Sequence, residues 1–512
     1  MRDEKTPAAP PAAAAEDLGA TEREILAQRA KKAEALRALG VDPFGNGHVP
    51  SHLAQDLRAR YGEAPAEEIA KDPGEWSVAG RVLAERPFGK AAFLKVRDRS
   101  GDIQVWLKKD RLPERDFAIY KQLDVGDIVA AKGPATRTRT GELTVEATSF
   151  TILTKSMRPL PEKWHGLKDP GLQQRYRYLQ LATDLESRRI VDARATTLKA
   201  MRAYLDEHGF VEVETPVLQP VAGGAMARPF TTFHQALGIE LKLRISLELY
   251  LKRLLVGGME RVYEIGRNFR NEGIGPTYNP EFTMLEAYQA YGDYDSMMRL
   301  AEELLVQCAR AVRGSLRFPV RGRDLDLTPP WPRITVLGSV SEAVGEEITL
   351  ERSDLAGLAE RHGVGVDPAW GPGKLVQELF EKLVEETLFD PTFVCDFPQE
   401  VSPLARPHRE NPGLTEHFDL VMAGIELATA FSELTDPDEQ RARFEAQAQA
   451  KAAGEEEAHP LDEEFIRALE HGMPPAGGIG IGVDRLLMIL LDVPSIRDVI
   501  LFPQMRPEEG RV

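Results

Sequence analysis

Between residues 76 and 153, apolar and polar positions alternate in short runs: WSVAGRVLAER, AAFLKVRDRSG, DIQVWLKK and DIVAAKGPATRTRTGELTVEATSFTILT. A period of two sends successive side chains to opposite faces of a strand. Turn signals at Arg99-Ser100-Gly101, Gly126-Asp127 and Thr140-Gly141-Glu142 separate the runs. Five strands within about 80 residues predict a small closed barrel of the OB type. Before it, TEREILAQRAKKAEALRAL (21–39) reads as a helix, with Thr21 as N-cap, Glu24 completing a capping box, and Gly40 and Pro43 as stops. After it, SMRPLPEKWHGLKDP (156–170) is a Pro-rich connector, and residues 171–210 read as long and helical. GFVEVETPVLQP follows as a strand ended by Pro216. Val262, Tyr263 and Ile265, and later Phe282 and Met284, alternate with polar residues in the half-buried strand pattern.

Two segments carry candidate chemistry. RVYEIGRNFRNEGIGPTYNPEFTMLEAY (261–288) sets arginines and glutamates around a strand, a Gly-rich turn and a second strand. Alternation points Arg270 and Glu272 to one face. An arginine fork suits phosphate or carboxylate, and a nearby glutamate accepts from an amine. GGIGIGVDR (477–485) ends a glycine strand with Arg485 just before an apolar helix, and its glycines allow close approach of a ligand. Taken singly, the first is equally a surface ion pair and the second a Gly-rich turn. Their joint occurrence, in this order and with the NPEFTMLEAY tail, argues against both plain readings.

Composition narrows the class. The 512 residues, 42% hydrophobic and 28% charged, describe a soluble globular protein long enough for several domains. No apolar run approaches the roughly 20 residues of a membrane span. Cys308 and Cys395 make neither a disulfide framework nor a zinc ligand set, and they read as buried free thiols in a reducing cytoplasm. MRDEKTPAAPPAAAAEDLGA carries Asp3, Glu4, Glu16 and Asp17, unlike a signal or transit peptide, and its Ala/Pro bias predicts a disordered tail over 1–20. The net charge of −17 opposes nucleic-acid binding as a whole, yet residues 71–155 hold 16 Lys+Arg against 12 Asp+Glu, a net +4. Arg29, Lys31, Lys32 and Arg37 give the first helix a basic surface, either a plain solvated face or an RNA contact. Near EEEAHPLDEEF, an acidic helical insertion reads as a solvated face.

The two signature segments resemble motifs 2 and 3 of class II aminoacyl-tRNA synthetases. With HGLKD (165–169), LELYLKRLLVGG (247–258) and RDVILFP (497–503), the chain from about residue 21 onward resembles the bacterial-type lysyl-tRNA synthetase family of that class. The resemblance implies an α+β protein. Its N-terminal OB-fold β-barrel would bind the anticodon, and a class II catalytic domain would stand on an antiparallel sheet flanked by helices. The corresponding division is a tail at 1–20, a helix and barrel at 21–155, a linker at 156–170 and a catalytic domain at 171–512. The family is homodimeric through motif 1, matched here by GFVEVETPVL with Pro216. The implied reaction joins lysine and ATP into lysyl-adenylate and pyrophosphate, then passes lysine to the terminal ribose of tRNA(Lys), with Mg2+ present, in the cytoplasm and without a membrane.

Residue by residue, Arg270 matches the cation that bridges the substrate carboxylate and the α-phosphate. Arg485 matches the γ-phosphate arginine, Glu272 the acceptor from the adenine amine and Phe282 the ring that stacks on adenine. Tyr278 stands where relatives often have His. Asp419 and Glu426 match the metal-binding pair, Asp419 being shorter than the Glu of some relatives. Gly224, Glu248, Glu286, Tyr288, Thr429, Phe431 and Glu433 match lysine-pocket positions, with Glu248 at the substrate α-amino group and Thr429 where many relatives have Asn. Arg81, Phe93 and Gln104 match the anticodon platform, although Phe93 is equally readable as core. An aspartyl- or asparaginyl-tRNA synthetase would be favoured by a basic residue at the position of Glu433, and there is none. A non-catalytic nucleic-acid-binding paralogue should have lost Arg270, Glu272 or Arg485, and all three are present.

Overall fold

The computed structural model describes residues 20–72, 74–160, 169–452 and 460–507. Nearly all of the predicted tail, most of the connector, the HGLK portion of HGLKD and residues 455–459 of the acidic insertion lie outside the described residues. The chain forms two compact units, one running through Leu185 and one beginning at Glu186.

In the first unit, the strands Glu75–Phe88, Ala91–Arg97, Asp102–Lys108, Leu143–Glu146 and Ile128–Arg137 close into a barrel, the first pairing antiparallel with the last. The predicted final strand is two segments. Leu143–Glu146 runs parallel to Asp102–Lys108, and Ser149–Thr154 then pairs with Ile128–Arg137. The chain crosses between neighbours at Ala147-Thr148, beside Gly133, where a Cβ would stand 1.9 Å from the Glu146 carbonyl oxygen. Ala92, Leu94 and Val96 point inward with Val82, Val105, Leu107 and Val129. Each fully buried aliphatic side chain of this kind contributes about 1.5–3 kcal/mol. Phe93 has the opposite parity and is only half-buried, so the alternation that builds the core also turns Phe93 outward.

The first helix spans Ala20–Ala38, which puts Thr21 inside its first turn and not at the cap. Gly40 follows at φ +71°, a left-handed conformation suited to glycine. Arg29 is not part of a basic surface. It is buried and donates to the carbonyls of Ser156, Arg158 and Val125. Lys155 is fully enclosed and donates to Asp124 and Asp127 at 2.5 and 2.7 Å.

The predicted long helix over 171–210 is three helices, Pro170–Arg175, Arg177–Thr183 and Leu185–Glu207. Non-helical backbone at Tyr176 and Asp184 separates them. The second unit is built on an eight-stranded sheet in the order Arg333–Thr335, Thr392–Cys395, His417–Met422, Ile425–Ser432, Ala476–Gly482, Glu281–Ala290, Arg261–Phe269, Val211–Glu212. All neighbours are antiparallel except the pair at each edge.

One face of this sheet is the main core. Leu285, Ala287, Ala428, Ala430, Ile479 and Ile481 are buried there with residues of the helices Tyr294–Arg313 and Val483–Leu491. Val262, Tyr263 and Glu264 are buried in succession. The strand is therefore covered on both faces, which the expected half-buried alternation did not include.

Candidate active site and nucleic-acid interface

The other face of the sheet carries the site, in rows fixed by register. One row places Glu286 opposite Gly480, Gly480 opposite Thr429, and Thr429 opposite Asp419. The next places Tyr288 opposite Gly478, Gly478 opposite Phe431, and Phe431 opposite His417. The central strand contributes no side chain to either row, which leaves a trough between its neighbours. At Gly478, a Cβ would stand 2.1 Å from Glu433 Oε1 and 2.4 Å from the Tyr288 ring. The glycine strand is therefore the floor of the cavity.

Two adjoining cavities lie on this floor. One is lined by Glu272, Tyr278, Phe282 and Arg485, the other by Gly224, Glu248, Glu286, Tyr288, Asp419 and Phe431. Arg270, Met284, Glu426, Thr429 and Gly480 line both. Arg270 thus sits at the junction, its guanidinium 5.1 Å from the centroid of the Phe282 ring. Burial pulls its pKa down, against Glu272 and Glu426, which hold it up. The strand ends at Phe269, so Arg270 and Glu272 do not share a strand face as the alternation implied. They lie in the connector, where Arg270 N–H still donates to the Pro280 carbonyl and Asn271 N–H to the Arg228 carbonyl. Gly275 in that connector makes room for Tyr278, whose ring a Cβ would meet at 2.2 Å.

Arg485 opens the helix Val483–Leu491 and donates to the Glu426 carbonyl at 2.6 Å. Its neighbour Asp484 is buried. Asp484 accepts from Arg194 at 2.5 Å and from the Thr283 N–H at 2.7 Å, tying the start of that helix to the strand bearing Phe282.

The second cavity ends in carboxylates. Glu286 accepts from the Ser246 hydroxyl, the Leu247 N–H and the Tyr288 hydroxyl at 3.0, 2.9 and 3.2 Å. Burial pushes its pKa up to about 7, opposed by those donors and reinforced by Glu248. Glu433 is buried, and its Oε1 has no hydrogen-bond partner among the described residues. Gly224 adopts φ +87°, and a Cβ there would meet the Ser246 hydroxyl at 3.0 Å. Phe431 packs edge-on against His417. His417 Nε2 lies 2.9 Å from Thr429 Oγ1 and 3.2 Å from Asp419 Oδ1.

Lys252 escaped the sequence reading. It is fully buried and pairs with Glu248 at 2.5 Å and with Glu433. An i,i+4 Glu–Lys pair reads from sequence as an ordinary solvated helix contact.

Asp419 and Glu426 face the same cavity. Burial, and then Glu426, Glu381 and Asp419, push Glu385 up to about 7, so the surroundings of the pair are strongly negative. Among the described residues no group of three or more His, Cys, Asp or Glu is arranged around a metal position. Two hard oxygen donors facing an open cavity suit Mg2+, which keeps waters and takes substrate phosphates as its remaining ligands.

On the barrel, a groove is lined by Arg86, Phe88, Lys90, Phe93, Gln104, Trp106, Lys108 and Arg137. Phe93 stacks on Trp106, centroids 5.1 Å apart at 24°. Gln104 Oε1 accepts from the Thr144 hydroxyl at 2.8 Å. Arg81 does not line this groove, and its guanidinium donates to the Gly126 carbonyl at 2.8 Å. Arg86, directly across from Phe93 in register, supplies a cation that the sequence reading missed. The alternation of the first barrel strand was the available signal, since Arg86 and Phe88 share its parity.

An antiparallel sheet with a glycine floor and two site arginines, preceded by an OB barrel, defines a class II aminoacyl-tRNA synthetase. Residues 169–506 match the family of tRNA synthetases class II (D, K and N), to which the chain belongs, and residues 76–153 match the OB-fold nucleic acid binding domain. The chain is 56% identical to the lysine–tRNA ligase of Anaeromyxobacter sp. (strain K) over 512 residues, covering 97% of this chain and all of the relative. It is 49% identical to that of Moorella thermoacetica, covering 95% of this chain and 99% of the relative. For the ligase of Thermosynechococcus vestitus the identity is 50%, covering 96% and 99%.

The floor makes a direct prediction. Gly478→Ala forces a methyl into Glu433 and Tyr288, so the amino-acid KM should rise at least about tenfold, roughly 1.4 kcal/mol, while the ATP KM changes little. Steady-state pyrophosphate exchange separates the two, and equal rises in both constants would remove Gly478 from the amino-acid pocket.

Proposed function

We propose that the protein is a lysine–tRNA ligase, which activates L-lysine with ATP and transfers it to the 3′ end of tRNA(Lys). The observation that carries this reading is the cavity lined by Glu248 and Glu286, with the buried Glu433 against Gly478 of its floor, and joined, at Arg270, to the cavity bearing Arg485. Buried carboxylates are costly unless a cation meets them, which selects a substrate whose side chain ends in an ammonium. An aspartate-type substrate would place charge against like charge there.

In the first step a lysine carboxylate oxygen attacks the α-phosphorus of ATP. The bond to the bridging oxygen breaks, and pyrophosphate leaves. Both reactants are anionic, so a fixed cation at their meeting point lowers the barrier. Arg270 occupies that junction, Arg485 takes the γ-phosphate, Phe282 and Arg485 sandwich adenine, Glu272 accepts from its amine, and Tyr278 closes the phosphate side. Glu286, Tyr288 and Glu433 receive the side-chain ammonium. Glu248 receives the α-amino group beside Gly224, while Phe431 and Thr429 wall the pocket. Asp419 and Glu426 would hold Mg2+, which neutralises phosphate oxygens when bound. In the second step the terminal ribose hydroxyl of tRNA attacks the carbonyl carbon, and AMP leaves.

The barrel reads the anticodon, with Phe93 stacking on a base and Gln104 meeting a base edge. Arg86, rather than Arg81, stands beside them. We assign residues 21–155 to this anticodon-binding domain and 171–512 to the catalytic domain. Val211, Val217 and Leu218, in the motif 1 segment, are 50%, 40% and 47% exposed, and apolar exposure of this kind supports a homodimer through that face. Equilibrium sedimentation should give twice the chain mass, and a monomer would overturn this assignment. The substrates and the buried free thiols fit a cytoplasmic enzyme.

Pyrophosphate exchange across an amino-acid panel tests the function. Lysine should stimulate exchange far more than aspartate, asparagine or arginine, and strong aspartate stimulation would sink the reading. The lysine KM should also rise as pH falls through about 7, because Glu286 becomes protonated and loses its charge for the ammonium. Glu286→Gln should weaken that pH dependence and leave the part due to Glu433, which burial pushes up to about 8.

Phe93→Ala should weaken aminoacylation by about 1–3 kcal/mol, the worth of one stacked base, while leaving tRNA-independent exchange unchanged. Parallel loss in both assays on one purified variant would make Phe93 a folding residue instead.

A further inference from the structure

Lys252 is the least expected charge in the second unit. It lies on the helix Glu248–Val256, is fully buried, and does not line the amino-acid cavity. Its ammonium stands behind the cavity wall, paired with Glu248 at 2.5 Å and with Glu433, and 5.6 and 6.0 Å from the ring centroids of Phe431 and Phe465. A substrate can therefore reach Glu248 and Glu286, which line the cavity, without displacing it, and Glu433 lies against Gly478 of the cavity floor. Burial alone would discharge this amine, but the two carboxylates outweigh burial and keep it an ammonium.

We propose that Lys252 is a positioning residue that fixes how many ammonium groups the amino-acid pocket accepts. The inference rests on the lysine reading above. The pocket holds three buried carboxylates, Glu248, Glu286 and Glu433, and one resident cation behind them. With the three carboxylates ionised in the substrate complex, the two negative charges left over equal the two ammonium groups of a dibasic amino acid, whose carboxylate is met by Arg270. A substrate with a neutral side chain leaves one buried carboxylate unpaired. Lys252 pairs with Glu433 at Oε2, while Oε1 lies toward Gly478 on the cavity floor. A resident cation of this kind sets selectivity by charge count, in addition to chain length.

The count predicts a pattern that a merely structural lysine would not produce. Lys252→Met leaves three carboxylates without a resident counter-charge. One of them takes up a proton, which restores the count of two negative charges but leaves a substrate ammonium to meet a neutral carboxylic acid. Glu433→Gln leaves two carboxylates, Glu248 and Glu286, to meet three ammonium groups, that of Lys252 and the two of the substrate. Combining the two substitutions returns the net charge to that of the wild type and removes the surplus ammonium. The double variant should therefore bind lysine better than Glu433→Gln alone.

The experiment is pyrophosphate exchange with the full-length enzyme and its three variants, varying lysine and ATP separately, with norleucine as competitor. Norleucine keeps the chain length and lacks the side-chain ammonium. Lys252→Met should raise the lysine KM about tenfold or more and narrow the lysine–norleucine preference by a similar factor, with the ATP KM and kcat within about threefold. The double variant should have a lower lysine KM than Glu433→Gln. A Lys252→Met enzyme with an unchanged lysine KM, or with equal losses in every constant, overturns the proposal. So does a double variant no better than Glu433→Gln. That comparison still decides the matter if Lys252→Met alone does not fold, because the double variant has fewer unpaired buried charges. A wild-type enzyme that lysine does not stimulate would remove the lysine reading itself, an outcome distinct from any pattern among the variants.

Discussion

Keeping charge out of water governs this structure. Glu248, Glu286 and Glu433 are each at most 4% exposed, and removing one partner of a buried pair costs about 3–5 kcal/mol. The fold meets that cost with a set of donors held in place by neighbouring elements. The Leu247 N–H and the Ser246 hydroxyl come from the start of one helix, the Tyr288 hydroxyl from the same strand as Glu286, and Lys252 from one turn further along that helix. Each of these contacts sets a donor against a buried carboxylate, and donors held in this way act as preorganised dipoles on a bound substrate.

The geometry around this charge set follows from the glycine strand. Because register places Gly478 in line with Tyr288, Phe431 and His417, and Gly480 in line with Glu286, Thr429 and Asp419, side chains from three strands converge without colliding. Asp484 then joins the strand bearing Phe282 to the helix bearing Arg485 through a hydrogen bond from the Thr283 N–H and a charged hydrogen bond from Arg194. The two groups that would sandwich a nucleotide base are thus held by one buried carboxylate.

Much of this was legible in the chain. Alternation alone outlined the barrel, and it contained the answer to whether Phe93 is core, since Ala92, Leu94 and Val96 take the inward parity. The glycine strand and its closing arginine were equally visible, because only glycine serves where a Cβ would stand 2.1 Å from a carboxylate. What escaped depended on neighbours distant in sequence. Arg270 and Glu272 looked like strand residues until the strand was seen to stop at Phe269. Arg29 looked like surface until the chain around Ser156 was seen to cover it. Lys252 looked like half of a solvated helix pair. Its second partner is 181 positions away in sequence, and no local pattern announces such a contact. The long helix after the connector was read as continuous because Tyr176 and Asp184 carry no strong breaker signal.

Both thiols sit in the interior of the second unit, Cys308 on the helix Tyr294–Arg313 and Cys395 at the end of an inner strand. Burial pushes each up to about 12, so at neutral pH only about one in 10⁵ is a thiolate. Electrophiles and oxidants react with the thiolate. The folded chain is therefore nearly silent toward alkylating reagents, and each modified cysteine marks a moment when its surroundings opened. The pair forms a built-in clock for opening of the catalytic core, running at the frequency of those openings and indifferent to what occupies the active site, except as the occupant slows them.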